Sequence, residues 1–380
     1  MLESASMKRK ILPFVVIFGS LTAVYACSSS SNDTPGPTPV PEGGSQPETS
    51  TGDPDTSTGA EGSTPDGAIP DAGPNDNPID GIATPAAVAA LNGVVVVGPQ
   101  WHGDSLFYAE LVKDGQLIKL TPPGTTAVVR GPVTAGNETL GTTYDEKAAN
   151  FVSCEVAANA VVGVGTAHGG QIVRTAVGGT TGTAIVLTVD GGGAPAFDSP
   201  KNIAARHSDG MLYITDPGYQ TDPAAQIVNN HIWRIKPTTG EVFDERPTLV
   251  DGRPNGIAFA PDQLSVYVSF TGEPGGVPAA KVVKYPVAAG GALGAGVPFG
   301  TVAADALADG IVVDTKGNVY VAVKTGVDVF KADGTKWGHI TTPKPVNGLA
   351  FGDADSKTLY MTTDPNGLMT VKVKFAGLLE

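Results

Sequence analysis

The chain has 380 residues, a net charge of −14 at neutral pH, 50 glycines and 31 prolines. So acidic a protein is poorly suited to nucleic acid or to an anionic lipid surface, whereas neutral substrates and cations fit its charge. The frequent glycines and prolines leave few uninterrupted stretches for helices.

The N-terminus has the pattern of a secretory signal peptide. A basic cluster at residues 8–10 precedes an apolar run over residues 11–26, which is too short and too broken for the ~20 residues that a membrane span needs. Residues 24–27 (VYAC) resemble a bacterial lipobox, in which Cys27 would receive lipid and become the mature N-terminus. We expect a signal peptide over residues 1–27, export, and attachment to the outer membrane or periplasmic face of the cell envelope through this lipid alone. An ordinary signal peptide with a nearby cysteine is the alternative.

A spacer and one large domain follow. Residues 28–80 are rich in Pro, Ser, Thr, Gly and Asp. This composition cannot bury enough apolar area to offset chain entropy, so we predict a disordered linker. The globular domain is expected over residues 81–380. Its one cysteine, Cys154, is interpreted as a small buried hydrophobe. A Cys27–Cys154 disulfide is the alternative, which the flexible spacer disfavours.

Short runs of β-branched residues between turn residues predict an all-β domain. The candidate strands, in chain order, are VVVV (94–97), SLFYAE (105–110), GQLIKL (115–120), AIVLTV (184–189), MLYIT (211–215), VYVSF (266–270), NVYVAV (318–323) and TLYMTT (358–363). Only residues 85–91 have a pattern compatible with a helical turn.

The strands recur in repeats. Four segments align on one another: KNIAARHSDGMLYIT (201–215), NGIAFAPDQLSVYVS (255–269), DGIVVDTKGNVYVA (309–322) and NGLAFGDADSKTLYMTT (347–363). Their starts are separated by roughly the 40–50 residues of a four-stranded propeller blade. Two earlier units, beginning near Val94 and Tyr144, bring the total to about six blades. We therefore predict a six-bladed β-propeller.

The repeat places polar residues at one end of the central channel. The innermost strand of every blade lines that channel, so the residues that open these strands converge at its mouth. They are Asn202, Asn255, Asp309 and Asn347. A ring of amide and carboxylate oxygens favours a hard cation. The alternative is that these residues only cap strands and turn the chain.

Several longer motifs, in order along the chain, resemble one known family. They are DSPKNIAARHSDGMLYITDPGY (198–219), RPNGIAFAPD (253–262) and ADGIVVDTKGNVYVA (308–322). The family is that of gluconolactonase and regucalcin (senescence marker protein), six-bladed propellers with one divalent metal at the channel mouth. The resemblance implies hydrolysis of a lactone, a carboxylic ester, with calcium or a similar ion as cofactor. We expect a monomer that takes a small-molecule substrate or ligand.

The family's metal ligands are present only in part. Asn255 and Asp309 match two of them. Val97 stands where the resemblance requires a Glu, and Lys201-Asn202 replaces an Asn-Asp pair. Three outcomes are open: Lys201 pairs with Asp309 in place of a metal, a metal remains on Asn255 and Asp309 with Lys201 turned away, or Asn202 is itself a ligand in a shifted register.

The resemblance also implies the chemistry. Asp309 would accept a proton, and Lys201 could stabilise the developing oxyanion. His168 resembles a histidine of the second blade in gluconolactonases, and we assign His168, Asn202 and Asn347 as substrate contacts. The alternative function is a non-catalytic ligand-binding or scaffolding propeller with a degenerate metal site.

Overall fold

The computed structural model describes residues 76–88, 91, 95–111, 115–134, 137–157, 170–189, 197–218, 230–245, 252–272, 279–364 and 367–379. The expected signal peptide, Cys27, most of the expected linker and His168 lie outside these ranges. The regular elements described are β-strands. Within the described ranges no helix has the length and hydrophobicity needed to cross a bilayer.

The strands form six sheets, which are the blades of a propeller, as predicted. Within each blade the chain runs from the innermost strand outward. The first three blades consist of β2 to β5 (Val96–His102, Ser105–Glu110, Gln116–Thr121, Thr125–Arg130), β6 to β9 (Asn137–Asp145, Asn150–Ala157, Gln171–Ala176, Gly182–Ala184) and β11 to β14 (Asn202–Ala205, Leu212–Asp216, His231–Lys236, Glu241–Asp244) with β10 (Thr188–Val189) added at the edge. The last three consist of β15 to β18 (Arg253–Phe259, Ser265–Thr271, Lys281–Pro286, Val297–Pro298), β19 to β22 (Ile311–Val313, Val319–Val323, Gly326–Phe330, Lys336–Thr341) and β23 to β25 (Val346–Gly352, Thr358–Thr363, Leu368–Lys372) with β1 (Ala86–Ala87) at the edge.

The ring is closed by the start of the domain. Strand β1 pairs antiparallel with β25, the last strand, with Ala86 opposite Thr370. The N–H of Val88 donates to the carbonyl of Leu368 at 2.8 Å. The expectation of a helical turn over residues 85–91 is therefore wrong for its central part, because pairing with a distant strand outweighs the weak local preference. The second blade also begins earlier than expected, at Asn137 rather than near Tyr144.

Consecutive blades pack face to face through buried side chains. Tyr213 of the third blade meets Phe259 of the fourth edge to face, with ring centroids 5.1 Å apart. Tyr320 of the fifth blade meets Phe351 of the sixth at 5.2 Å in the same manner. Because both faces of each sheet are covered, inner strands read as continuous apolar runs. Cys154 is a fully buried free thiol in this packing, as expected.

The outer edge of the fifth blade carries a cross-strand pair that titrates. His339 of β22 lies opposite Asp328 of β21. Its Nδ1 is 2.7 Å from the Asp328 carboxylate and its Nε2 is 3.0 Å from the carbonyl oxygen of Thr325. The hydrogen bond to Asp328 raises the pKa of His339, because only the protonated ring can donate from both nitrogens.

We expect this pair to make stability depend on pH. The folded-state pKa of His339 lies above the unfolded value of ~6.5, so its contribution is complete below that pH and is lost as pH rises through the raised pKa. His339→Gln should lower the free energy of unfolding at pH 5.5 by about 1 kcal/mol, a modest value because 27% of the side chain is exposed. The difference should shrink by pH 9 in urea unfolding. An equal loss at both pH values would contradict this account.

Candidate functional site

The inner strands β2, β6, β11, β15, β19 and β23 neighbour one another around the channel. At their starting ends, the mouth, they approach so closely that a side chain cannot fit between them. A Cβ on Gly256 would lie 2.3 Å from the carbonyl oxygen of Asp309, and one on Gly310 would lie 2.8 Å from the Cα of Gly348. The polar residue before each glycine is thereby left at the mouth. This is the physical origin of the repeated Asn-Gly and Asp-Gly pairs.

Hydroxyl groups from the second strand of one blade fix the mouth residue of the next blade. Thr215 Oγ1 donates to the carbonyl oxygen of Asn255 at 2.5 Å. Ser269 Oγ donates in the same way to the carbonyl oxygen of Asp309. The backbone of Asn255 is therefore held by the third blade, and that of Asp309 by the fourth blade.

The structure brings three of the residues singled out by the sequence into one chain of contacts. Asn202 Nδ2 donates to Asn255 Oδ1 at 3.0 Å. Asn255 Nδ2 donates to Thr271 Oγ1 at 2.9 Å, and Asn255 also hydrogen-bonds the Asp309 carboxylate. Residues that are 53 and 54 positions apart along the chain thus meet at the mouth.

Asn347 completes the mouth on the sixth blade. Its backbone carbonyl accepts the N–H of Gly310 at 3.2 Å, which joins it to the fifth blade. Its Oδ1 accepts a hydrogen bond from Thr362 Oγ1. Asn347 is therefore at the predicted end of the channel with its amide oxygen already engaged. His168, the other expected substrate contact, lies outside the described residues.

Asp309 has an unusual environment for a carboxylate. Its Oδ1 is buried and has no hydrogen-bond partner among the described residues. Burial raises the pKa of Asp309 to about 6, although the positive charge of Lys201 and the hydrogen bond from Asn255 oppose the rise. A carboxylate with a free oxygen and a pKa near neutrality can hold a cation or take a proton from water.

Lys201 is the cation that faces this carboxylate. It is partly buried and interacts electrostatically with both Asp309 and Glu138. Within the described part of the chain it forms no ion pair as short as 4.0 Å with either. The charge of Lys201 therefore acts on two carboxylates of different blades, without a close pair to Asp309.

Glu138 was missed by the sequence reasoning. It is the second residue of β6, at the mouth end of the second blade, and burial raises its pKa while Lys201 lowers it. The expected start of that blade near Tyr144 excluded Glu138 from the inner strand. Val97 is buried against Leu140 and Ile203 in the core, so it gives the mouth no oxygen.

The donor set does not match a calcium ion. Calcium takes six to eight oxygens, several of them anionic. Here the amide oxygens of Asn255 and Asn347 already accept hydrogen bonds, and the ammonium of Lys201 lies near the carboxylates that would bind the ion. Across the described residues no group of three or more His, Cys, Asp and Glu side chains is placed to hold a metal. The free Oδ1 of Asp309 is the one feature that favours a cation.

Comparison with known proteins agrees with this architecture and with the motifs. Residues 97–364 match the model of the SMP-30/gluconolactonase/LRE-like region. The chain belongs to this family. Its motifs and its six blades are those of a gluconolactonase-like propeller.

Individual relatives are distant. A gluconolactonase from Zymomonas mobilis is 24% identical over 212 residues, which cover 50% of this chain and 55% of the relative, so the match spans about half of that protein. A gluconolactonase structure from Xanthomonas campestris is 25% identical with a TM-score of 0.59, over 78% of this chain and 97% of the other. A calcium-binding regucalcin from Agrobacterium tumefaciens is 16% identical with a TM-score of 0.58, over 79% and 96%. The last comparison concerns the fold alone.

The raised pKa of Asp309 predicts a cost to stability. The folded-state pKa of about 6 exceeds the unfolded value of ~3.9, so ionisation disfavours the folded state. This cost is absent below pH ~4 and complete above the folded-state pKa. Asp309→Asn should therefore raise the free energy of unfolding at pH 8 by about 1–3 kcal/mol and leave it nearly unchanged at pH 4.

The control is Asp262→Asn, which changes an exposed carboxylate in the β15–β16 turn at the opposite end of the fourth blade. Thermal unfolding at the two pH values measures both variants. Stabilisation of Asp309→Asn by the same amount at pH 4 and pH 8 would show that ionisation of Asp309 is not its cause.

Proposed function

We propose that the protein hydrolyses a lactone at the channel mouth, with Asp309 as the general base and Lys201 as the electrophilic group. The observation that carries this proposal is the Asp309 carboxylate, with one buried oxygen free of hydrogen bonds and a positive charge nearby. Membership of the gluconolactonase-like family supports a lactonase-type activity. Sugar-derived and similar lactones are the substrate class.

The geometry suggests a division of roles. Asp309 removes a proton from a water molecule as that water attacks the lactone carbonyl, since its pKa of about 6 leaves it ionised yet basic at neutral pH. The ammonium of Lys201 stabilises the oxyanion that forms. Collapse of this intermediate breaks the bond to the ring oxygen, which takes the proton from Asp309 and leaves as a hydroxyl. Asn255 orients Asp309, while Asn202 and Asn347 contact the substrate.

No step of this proposal depends on a metal, because the donor set does not fit one. The positive charge that a divalent ion would supply at the carbonyl comes from Lys201. If an ion were held after all, Asn255 and Asp309 would be its protein ligands, and it would polarise the same carbonyl.

We expect lactone turnover to require both charged residues and to survive chelation. Asp309→Ala should lower kcat/KM at least about 100-fold, the scale of a lost general base, and Lys201→Met by a similar factor, the scale of a lost oxyanion donor. Excess chelator should leave the wild-type rate unchanged. The rate should rise with pH through about 6, following ionisation of Asp309. Initial rates across a panel of lactones measure each effect.

The matched control is Lys372→Met, which removes an exposed lysine that pairs with Asp355 on the sixth blade and should leave turnover intact. Loss of activity on chelation would instead assign the positive charge to a metal on Asn255 and Asp309. Absence of turnover with every lactone, while a ligand still binds at the mouth, would leave the non-catalytic binding propeller, a function that the departures at Val97 and Lys201 favour.

We also propose that the protein is exported and anchored by lipid on Cys27. The lipobox-like sequence at residues 24–27 and the Pro- and Ser-rich spacer behind it support this location. Cells fed labelled fatty acid should yield labelled protein in the membrane fraction, and Cys27→Ala should lose the label. Cys154→Ala, which changes the only other cysteine, should keep it. Recovery of unmodified protein from the cytosol would refute the anchor.

A further inference from the structure

The segment that leads into β11 is held by a buried carboxylate. Asp216, at the end of β12, is completely buried. Its Oδ2 accepts the N–H of Asp198 at 2.9 Å, and its Oδ1 accepts the N–H of Ser199 at 2.7 Å. The indole N–H of Trp233 donates to Oδ2 at 3.2 Å. Hydrogen bonds to a charged acceptor are about twice as strong as neutral ones, so this cap fixes the two residues firmly.

The next residues are fixed by backbone contacts. Lys201 donates its N–H to the carbonyl of Thr215 at 2.8 Å and accepts the N–H of Gly141, on the second blade, at 2.8 Å. The N–H of Asn202 donates to Thr215 Oγ1 at 3.1 Å. The main chain over residues 198–202 is thus held on both sides, and the positive charge of Lys201 acts on the carboxylates of Glu138 and Asp309.

Burying the ionised carboxylate of Asp216 at this position costs folding free energy. In the described part of the chain no cation forms an ion pair with Asp216, which is stabilised by dipoles alone. Burial raises the pKa of Asp216 to about 6. In some proteins a buried charge that a neutral group could replace serves to fix one geometry. Here the cap holds Asp198 and Ser199, and Lys201 follows Ser199 by two residues.

We propose that Asp216 is a positioning residue, which fixes residues 198–200 so that the ammonium of Lys201 stays at the mouth and excludes a divalent cation from Asn255 and Asp309. The use of the Lys201 charge in catalysis rests on the proposed function. The exclusion of a cation does not, because it follows from the positions of the charges alone.

Calcium affinity, measured by isothermal titration calorimetry with the metal alone, tests the inference without any substrate. Wild type should bind calcium weakly. Lys201→Met removes the ammonium and leaves two carboxylates and the amides, so calcium should bind at least tenfold more tightly. Asp216→Asn keeps the size of the side chain but turns one of its two accepting oxygens into a donor, so at least one bond to Asp198 or Ser199 is lost. Calcium affinity should rise in the same direction.

The control is Asp314→Asn, since Asp314 is also completely buried and accepts the N–H groups of Lys316 and Asn318, but at the opposite end of the channel. It should lose a comparable amount of thermal stability with no gain in calcium affinity. If Asp216→Asn does not fold, Trp233→Phe decides, because it removes the indole donor to Asp216, together with part of a buried ring, and should give a smaller gain of the same sign.

Three results would overturn the inference: unchanged calcium affinity in Lys201→Met, unchanged affinity in folded Asp216→Asn, or an equal gain in Asp314→Asn. Lactone turnover reports separately on the proposed function. A protein that gains calcium affinity as expected but hydrolyses no lactone would retain Asp216 as the positioning residue of a binding site. If the protein hydrolyses lactones but the variants show no change in calcium affinity, the positioning role of Asp216 is refuted and the proposed lactonase activity stands.

Discussion

The close approach of six inner strands at one end of the channel is the constraint on which the site depends. The space beside Gly256 and Gly310 is filled by the backbone of the next blade, at 2.3 Å and 2.8 Å from where a Cβ would lie. A side chain there would push two blades apart, so in blades four to six the mouth residue is followed by glycine. In the third blade Ile203 follows Asn202, so the constraint does not act there. The same packing brings Asn255 and Asp309 together from different blades.

The charges at the mouth differ from those of the protein as a whole. The chain is strongly acidic, at −14, yet the mouth combines the carboxylates of Glu138 and Asp309 with the ammonium of Lys201. A carboxylate in a partly buried site needs a positive charge nearby or it becomes protonated. A metal or a lysine can meet this need, and a lysine does so without depending on the ion content of the surroundings.

The sequence predicted the blades but only part of the mouth. The repeat was visible because blades three to six share the polar residue and the turn, and blades four to six also share the glycine that the packing requires. The second blade lacks that signal, because Leu140 occupies the position that corresponds to Asn255. Its inner strand was therefore predicted to begin near Tyr144 rather than at Asn137, and Glu138 was not considered. Strand β1, with two alanines, has no pattern of its own and exists only by pairing with β25. The distance of Lys201 from its two carboxylates depends on side-chain placement, which no repeat encodes.

The fold separates the support of the mouth from its chemistry. Thr215 and Ser269 hold the carbonyl groups of Asn255 and Asp309, so the backbone there does not depend on which side chain follows. Val97 lies in the core cluster with Leu140 and Ile203, so the first blade contributes no charge at that position. The backbone before Lys201 is held in a similar way, because Asp216 accepts the N–H groups of Asp198 and Ser199, and the carbonyl of Thr215 accepts the N–H of Lys201. Because support and charge reside in different residues, family membership fixes the propeller, while the charges at its mouth are set by a few side chains.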